Sequence, residues 1–251
     1  MALGRTANPS LNDKTFDNLP LPSLEREKMT LIGTVNKSAI LLVLVVLAAA
    51  WSWSKLNSAA DQGSLMPLLI GSAIGGLVVA IATVIRKEWA PITAPLYALL
   101  EGVMLGIISA IFEQRFPGIV FQAVLLTFGV ALSLFIAYRS GYIKATENFK
   151  LGVVAATGGI FLIYLVGFVM SMFGSGIPYI HESGTVGILF SVFVVIIAAL
   201  NLVLDFDFIE QGAERGAPKY MEWYGAFGLM VTLIWLYLEM LRLLAKLSSR
   251  R

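Results

Sequence analysis

The sequence contains no cysteine and a single histidine, His181, among its 251 residues. Without cysteine, disulfides, thiolate catalysis and iron–sulfur clusters are excluded, and one imidazole cannot build a site of several histidine ligands. Charged residues are also scarce, at 14% of the sequence against about 25% in soluble domains. With 58% hydrophobic residues and a mean hydropathy of +0.82, the composition indicates an integral membrane protein. A net charge of +2 gives no reason to expect nucleic acid as a partner.

Enzyme signatures are also missing. Ser171 and Ser175 could be paired with His181, but no Gly-x-Ser-x-Gly elbow is present, and the segment PYIHESG predicts an outer-loop position for the histidine. The acids of the sixth apolar run lack the Gly-x-Gly-Asp block of an intramembrane aspartyl protease. No phosphate loop or dinucleotide fingerprint accompanies the glycines. We therefore expect neither enzymatic activity nor a cofactor.

What the sequence has is seven long apolar runs, each judged against the roughly 20 residues that a membrane-spanning helix needs. They lie at about residues 38–53, 66–85, 95–112, 119–138, 151–173, 185–207 and 225–245. The pattern predicts an all-α membrane protein in which residues 30–251 form a seven-helix transmembrane domain within the lipid bilayer. Residues 1–29 are polar and contain proline turn signals, so we expect a cytoplasmic tail that is disordered or lies on the membrane surface.

The distribution of Lys and Arg predicts the orientation. The tail and the connections on its side of the membrane carry about twelve of them and the opposite side about six, which favours a cytoplasmic N-terminus. The basic C-terminus, with Arg250 and Arg251, does not fit, because seven crossings would place it outside. One re-entrant segment would remove the conflict, but we favour seven crossings.

Carboxylates interrupt the last two apolar runs. Asp205 and Asp207 stand in NLVLDFDFIEQGAE, where the sixth run should still be in or near hydrocarbon, and Glu239 is enclosed by the apolar residues of IWLYLEMLRLL. An ionisable group at the bilayer centre costs about 2.5–3.5 kcal/mol on insertion scales, so it faces a partner or a watery cavity. A helical hairpin could bring Asp205 and Glu239 together.

The depth of the two acids sets a condition on that pairing. If the turn lies at residues 216–218 and both helices are straight, Asp205 and Glu239 differ in depth by about 15 Å. The mismatch shrinks if residues 219–224, KYMEWY, lie flat at the membrane interface, and the seventh span would then begin near Gly225. The aromatic and charged content of KYMEWY permits this arrangement, and the pairing fails if KYMEWY instead continues the transmembrane helix.

These blocks of sequence resemble the Bax inhibitor-1 family. LNLVLDFDFIEQ is similar to the end of that family's sixth helix, LIWLYLEMLRLL to its seventh helix and YALLEGVMLG to its third, and the seven-helix plan fits from about residue 31 to residue 247. The segments ATGG, IHESG and GAPKYMEWYGAFG are similar to a bacterial branch, which implies the cytoplasmic (inner) membrane of a bacterium.

The resemblance implies a central seventh helix surrounded by the other six, and a calcium leak gated by a proton-sensitive pair of acids. Asp205 and Glu239 take the places of these acids, and Arg86 takes that of an arginine that would latch the sixth-helix acid in the closed state. The sequence departs from the family in its glutamate at 239, in a longer preceding connection, and in Leu204, where an aromatic residue is usual. The departures bear on the pairing distance and the pH range.

Two carboxylates held close in a medium of low dielectric resist double ionisation and share one proton. Such a pair would sense pH without a histidine and could offer oxygen ligands to a hard cation such as Ca²⁺. The hypothesis is a pH-gated leak for Ca²⁺ or another cation, with Asp205 and Glu239 as the proton sensor and candidate Ca²⁺ ligands, and Arg86 as a candidate latch. The alternative is a non-conducting protein that binds and modulates a membrane protease or another complex.

Each candidate also has a purely structural interpretation. Asp205 and Asp207 could lie in the headgroup zone at a helix end. Glu239 could pair with Arg242, three residues further along its own helix. Asn201, one turn before Asp205, could orient that acid or bind a neighbouring helix.

Glu101, near the start of the third run, is a second candidate for a buried acid. It could line the cavity of the transport pathway or cap a helix near the interface. Glycines in the same runs favour close helix packing, because small residues let backbones approach one another. They are Gly71, Gly75, Gly76, Gly102, Gly106, Gly158 and Gly159.

Overall fold

The computed structural model describes residues 28–58, 65–174 and 184–250. Seven α-helices account for most of them. These are α1 (Leu31–Ser58), α2 (Met66–Ile85), α3 (Ala90–Arg115), α4 (Ile119–Arg139), α5 (Glu147–Met172), α6 (Thr185–Glu214) and α7 (Met221–Ser248), with a short 3-10 helix at Lys87–Trp89. Over the same residues no strand occurs, apart from an isolated antiparallel bridge between Lys28 and Pro218. His181 and the predicted tail up to residue 27 lie outside the described residues.

All seven helices are long and apolar enough to cross a bilayer, which confirms the predicted seven-helix membrane fold. Several helices extend beyond the apolar runs that predicted them. The first begins at Leu31 instead of about residue 38, and the third at Ala90 instead of about residue 95. Pro91 does not prevent this early start, because the N–H groups of a first helical turn have no partner within the helix.

The connection between α6 and α7 confirms the predicted turn. Gly216 adopts a left-handed φ of 66°, which glycine reaches without steric cost. Its N–H donates to the carbonyl of Ala213, and the N–H of Ala217 donates to the carbonyl of Gly212. These two bonds satisfy carbonyls at the end of α6 and stop the helix there.

KYMEWY does not form the separate interfacial segment that the pairing of Asp205 with Glu239 requires. Helix α7 begins at Met221, so the segment MEWY is its first turn, and no new helix starts near Gly225. The reason is burial, since Met221, Glu222 and Tyr224 are all enclosed by protein. A segment lying flat in the headgroup zone would expose these side chains.

The described residues fall into two compact units. The first unit contains α1 to α3 together with Phe208–Val231, which is the end of α6 and the beginning of α7. The second unit contains α4, α5, α6 up to Asp207 and α7 from Thr232 onward. Both α6 and α7 therefore contribute residues to both units.

Burial differs sharply among the helices. In the most apolar stretch of α3, α6 and α7, half of the residues are buried inside the protein. In the corresponding stretch of α1, α2, α4 and α5, 11–22% of the residues are buried. The remaining apolar surface of these four helices suits contact with lipid. The half-buried α7 agrees with the interior position expected for the seventh helix, and α3 and α6 are buried to the same extent.

In the first unit a buried acid joins the beginning of α1 to the beginning of α7. Glu222 is fully buried, and its Oε1 accepts hydrogen bonds from the backbone N–H of Thr30 at 2.9 Å and from the Thr30 hydroxyl at 2.8 Å. Lys219 forms an ion pair with the same oxygen at 2.8 Å, and Lys37 pairs with Oε2. A Cβ at Gly33 would overlap this carboxylate, so glycine leaves the space for it.

Helices α1 and α3 pack closely through glycine, as predicted. A Cβ added at Gly102 would lie 2.5 Å from the carbonyl oxygen of Val45 and 2.7 Å from the Cβ of Ala48. Neither atom belongs to a flexible side-chain end, so the backbones would have to separate. In contrast, Gly158 and Gly159 on α5 meet nothing within 4 Å, so the close packing expected there is not observed.

The substitution Gly102→Ala tests this packing. We expect it to destabilise the protein by about 1–3 kcal/mol, because the added methyl group overpacks the α1–α3 contact. The measurement is thermal unfolding in detergent, followed by tryptophan fluorescence. The matched control is Gly129→Ala on α4, where a Cβ meets nothing within 4 Å. Equal melting temperatures for the two variants would contradict the prediction.

Candidate functional site

Asp205 lies on α6 within the second unit and is 0% exposed. Asn201, one turn earlier on the same face of the helix, is also buried. Its amide donates to the hydroxyl of Thr157 on α5 at 2.9 Å and to the carbonyl of Ile197 at 2.8 Å. The interpretation of Asn201 as a hydrogen-bonding contact to a neighbouring helix is therefore confirmed.

Asp207 forms a charge pair with α5. Its Oδ2 lies 2.7 Å from Nζ of Lys150, a lysine that is only 4% exposed. Glu147, which is largely exposed, lies 3.9 Å from the same ammonium. The α6 carboxylate is thus the closer partner of a buried cation.

Glu239 on α7 is 2% exposed and belongs to a three-residue cluster. Its Oε1 accepts hydrogen bonds from the Tyr164 hydroxyl at 2.9 Å and from Nη1 of Arg242 at 2.7 Å. Arg242 also donates to the Tyr164 oxygen at 3.0 Å and lies over the tyrosine ring at 5.4 Å. The predicted alternative, an ion pair with Arg242, is confirmed. The other oxygen, Oε2, is buried and accepts no hydrogen bond from the part of the chain that the structure describes.

A buried lysine lies one turn beyond that cluster. Lys246 donates to the carbonyl of Gly187 at 2.9 Å and to the hydroxyl of Ser191 at 2.8 Å. These bonds tie the end of α7 to the beginning of α6. They also fix the register of the two antiparallel helices within the second unit.

The register separates Asp205 from Glu239. Lys246 is level with the α6 residues 187–191, and Glu239 precedes it by seven residues, so Glu239 is level with about residue 196. Asp205 lies about nine residues further along α6, which is about 14 Å along the axis. For one proton to be shared between the two acids, α6 and α7 would have to move relative to each other. In the observed register the two acids do not meet, and a proton shared between them stays a prediction that requires such a movement.

Buried and half-buried polar groups of the second unit follow one another along α6. From Gly187 to Asp207, the rise of an α-helix gives about 30 Å, the thickness of the hydrocarbon core. We call this series the polar file. Its members are Lys150, Asp207, Asp205, Asn201, Thr157, Tyr164, Glu239, Arg242, Ser191 and Lys246.

Two predicted residues lie in the first unit. Arg86 follows the last residue of α2, is exposed, and stacks over Trp89 at 5.7 Å. Its role as a latch stays a prediction. Glu101 is 8% exposed and occupies the middle of α3, so the interpretation as a helix cap near the interface is wrong.

Over the described ranges there is no group of three or more His, Cys, Asp or Glu side chains that could hold a metal ion. A Ca²⁺ ion bound by Asp205 and Glu239 stays a prediction. Two of the three carboxylates of the polar file, those of Asp207 and Glu239, are in ion pairs.

The seven spans and the acids on α6 and α7 agree with the family that the sequence resembles. The profile of the family described as Bax inhibitor 1 like matches residues 7–249, almost the whole chain. The chain belongs to the Bax inhibitor 1-like family. No curated protein matches it.

In this member of the Bax inhibitor 1-like family, sequence reasoning missed Tyr164 and Lys246. Tyr164 lies within the apolar segment FLIYLVGF, and Lys246 lies at the end of an apolar run in LRLLAKLSS. A polar side chain in such a position was the signal that could have identified them. Tyrosine is common in apolar helices and lysine at their ends, so neither could be distinguished from an interfacial residue. Their partners lie 75 and 55 residues away.

The substitution Tyr164→Phe tests the Glu239 cluster. It removes the hydroxyl that bonds both the carboxylate and the guanidinium, so we expect a loss of about 1–3 kcal/mol in stability. Thermal unfolding in detergent measures it. The control is Tyr142→Phe, since Tyr142 is 90% exposed. A melting temperature unchanged by Tyr164→Phe would show that the cluster does not stabilise the fold.

Proposed function

We propose that this protein is a pH-sensitive cation leak, with Ca²⁺ as the first cation to test, and that the ion moves along the polar file. We place it in the cytoplasmic membrane of a bacterium with its N-terminus in the cytoplasm. The observation that carries the proposal is the length of the file, about 30 Å of buried and half-buried polar groups within the second unit. Asp205, fully buried on α6, is its central acid.

The free-energy cost of placing charged side chains in the polar file supports a functional role for them. Charged side chains inside a membrane protein are expensive, and they mark ion and proton pathways more often than packing contacts. The file holds three acids and three basic residues along one helix hairpin and its neighbour α5. A bundle that needed only mechanical stability could replace such pairs with apolar residues at no loss of stability.

The two acids supply two cation positions at different depths. Asp205 and Glu239 are separated by about 14 Å along the helix axis, so a cation leaving one would next meet the other. Lys150 and Lys246 place positive charge near the two ends of the file. These charges oppose the entry of a cation, so conduction requires their contacts to rearrange, which suits a slow leak.

Replacing the acids tests the path. We expect Asp205→Asn and Glu239→Gln each to lower Ca²⁺ flux about tenfold, because each removes one attractive charge worth about 1 kcal/mol or more to the passing cation. The measurement is Ca²⁺ entry into proteoliposomes that contain a fluorescent indicator. Glu214→Gln, at the exposed end of α6, is the matched control.

Two results would contradict the proposal. If neither substitution changes the flux of an active protein, the assignment of the two acids is wrong. If the unaltered protein shows no flux and instead copurifies stably with a membrane protease or another complex, the alternative of a non-conducting modulator is favoured.

The proposal also predicts a pH dependence. Protonation neutralises the two acids, so they no longer attract a cation, and it removes the partner charge that holds Arg242. We therefore expect Ca²⁺ flux to fall as the pH falls. A double variant carrying both Asp205→Asn and Glu239→Gln should lose this dependence. A pH profile of that variant identical in shape to the original would contradict the prediction.

A further inference from the structure

Glu101 is a buried acid that the proposed cation path does not use. It lies midway along α3 in the first unit, 8% exposed. Within the described residues its carboxyl group makes no hydrogen bond and no ion pair. Its neighbour on α2 is Gly76, where an added Cβ would lie 2.7 Å from Oε1. A side chain at Gly76 would therefore contact the carboxyl group in its present position.

Within the described residues, the elements packed on α3 place no cation near Glu101. Lys87, in the 3-10 helix that leads into α3, precedes Glu101 by 14 residues, which is about 15 Å or more along the axis. Helix α2 contains no charged residue. On α1, the contact of Gly102 with Val45 and Ala48 places Glu101 about 10 Å or more along the axis from both Lys37 and Lys55. On its own helix the nearest titratable group is Tyr97, one turn earlier, whose ring packs edge-on against Phe227 of α7 at 5.0 Å.

Glu222 shows how the same unit treats a carboxylate that stays charged. That side chain is buried as well, but two lysines and Thr30 surround it. Glu101 has none of these donors. A buried carboxylate without a partner costs so much free energy that the group takes up a proton instead.

We propose that Glu101 is a proton-binding site in the α2–α3 contact, and that its carboxyl group is uncharged and protonated at neutral pH. The ligand is the proton itself. The site belongs to the first unit and shares no residue with the polar file, so it stands whether or not the protein conducts cations. Gly76 supplies the space, and the absence of nearby cations keeps the proton bound.

A hydrophobic carbodiimide tests the protonation state directly. The carboxylic O–H of a protonated acid adds across one C=N bond of dicyclohexylcarbodiimide, and the acyl group of this adduct then moves to nitrogen to give a stable N-acylurea. Nothing leaves, so the labelled peptide gains the mass of the intact reagent. We expect Glu101 of the full-length protein in vesicles to be labelled about tenfold more than Glu222 or the exposed Glu214 at neutral pH.

A second measurement does not require the reagent to reach the site. A protonated carboxyl has a C=O stretch distinct from that of a carboxylate, and we expect infrared spectra to lose this absorption in Glu101→Gln but not in Glu222→Gln. Equal absorption in the original protein and Glu101→Gln at neutral pH overturns the proposal. If Glu101→Gln does not fold, the labelling decides, and equal labelling of Glu101 and Glu214 then overturns it.

Discussion

Charge enclosed by apolar helices has to be neutralised where it lies, and this constraint organises the polar interior of the protein. It is met in two ways. Glu222, Asp207 and Glu239 are each paired with a lysine or an arginine at short distance. At Glu101 no cation is in reach, and we propose that a proton neutralises it instead. An ion pair fixes two helices to one another. A bound proton can instead be released, and the charge of the acid then changes.

The two units distribute these solutions differently. In the first unit, ion pairing is concentrated where α1 and α7 begin, and the middle of α3 holds a lone acid beside glycine. In the second unit, polar groups continue along α6 at short intervals. A continuous series favours passage of an ion, because each group lowers the barrier to the next position. An isolated acid among apolar residues favours a bound proton.

The sequence predicted much of this interior but not its connections. The seven spans, the turn at Gly216, the burial of Asp205 and Glu239 and the pair with Arg242 could all be read from hydropathy and local spacing. The start of α7 was misjudged, because KYMEWY has the composition of an interfacial segment and only its burial decides otherwise. Tyr164 and Lys246 were missed because their partners lie on distant helices.

The sequence by itself determined the class of protein, the number of its spans and its family, because these depend on composition and on patterns within one helix length. Only the tertiary structure decided which polar side chains meet. The register of α6 against α7 puts Glu239 beside Tyr164 and not beside Asp205, and that register is set by packing and by the bonds of Lys246. A residue's neighbours across a helix contact change with every shift in register, and local sequence does not record that shift.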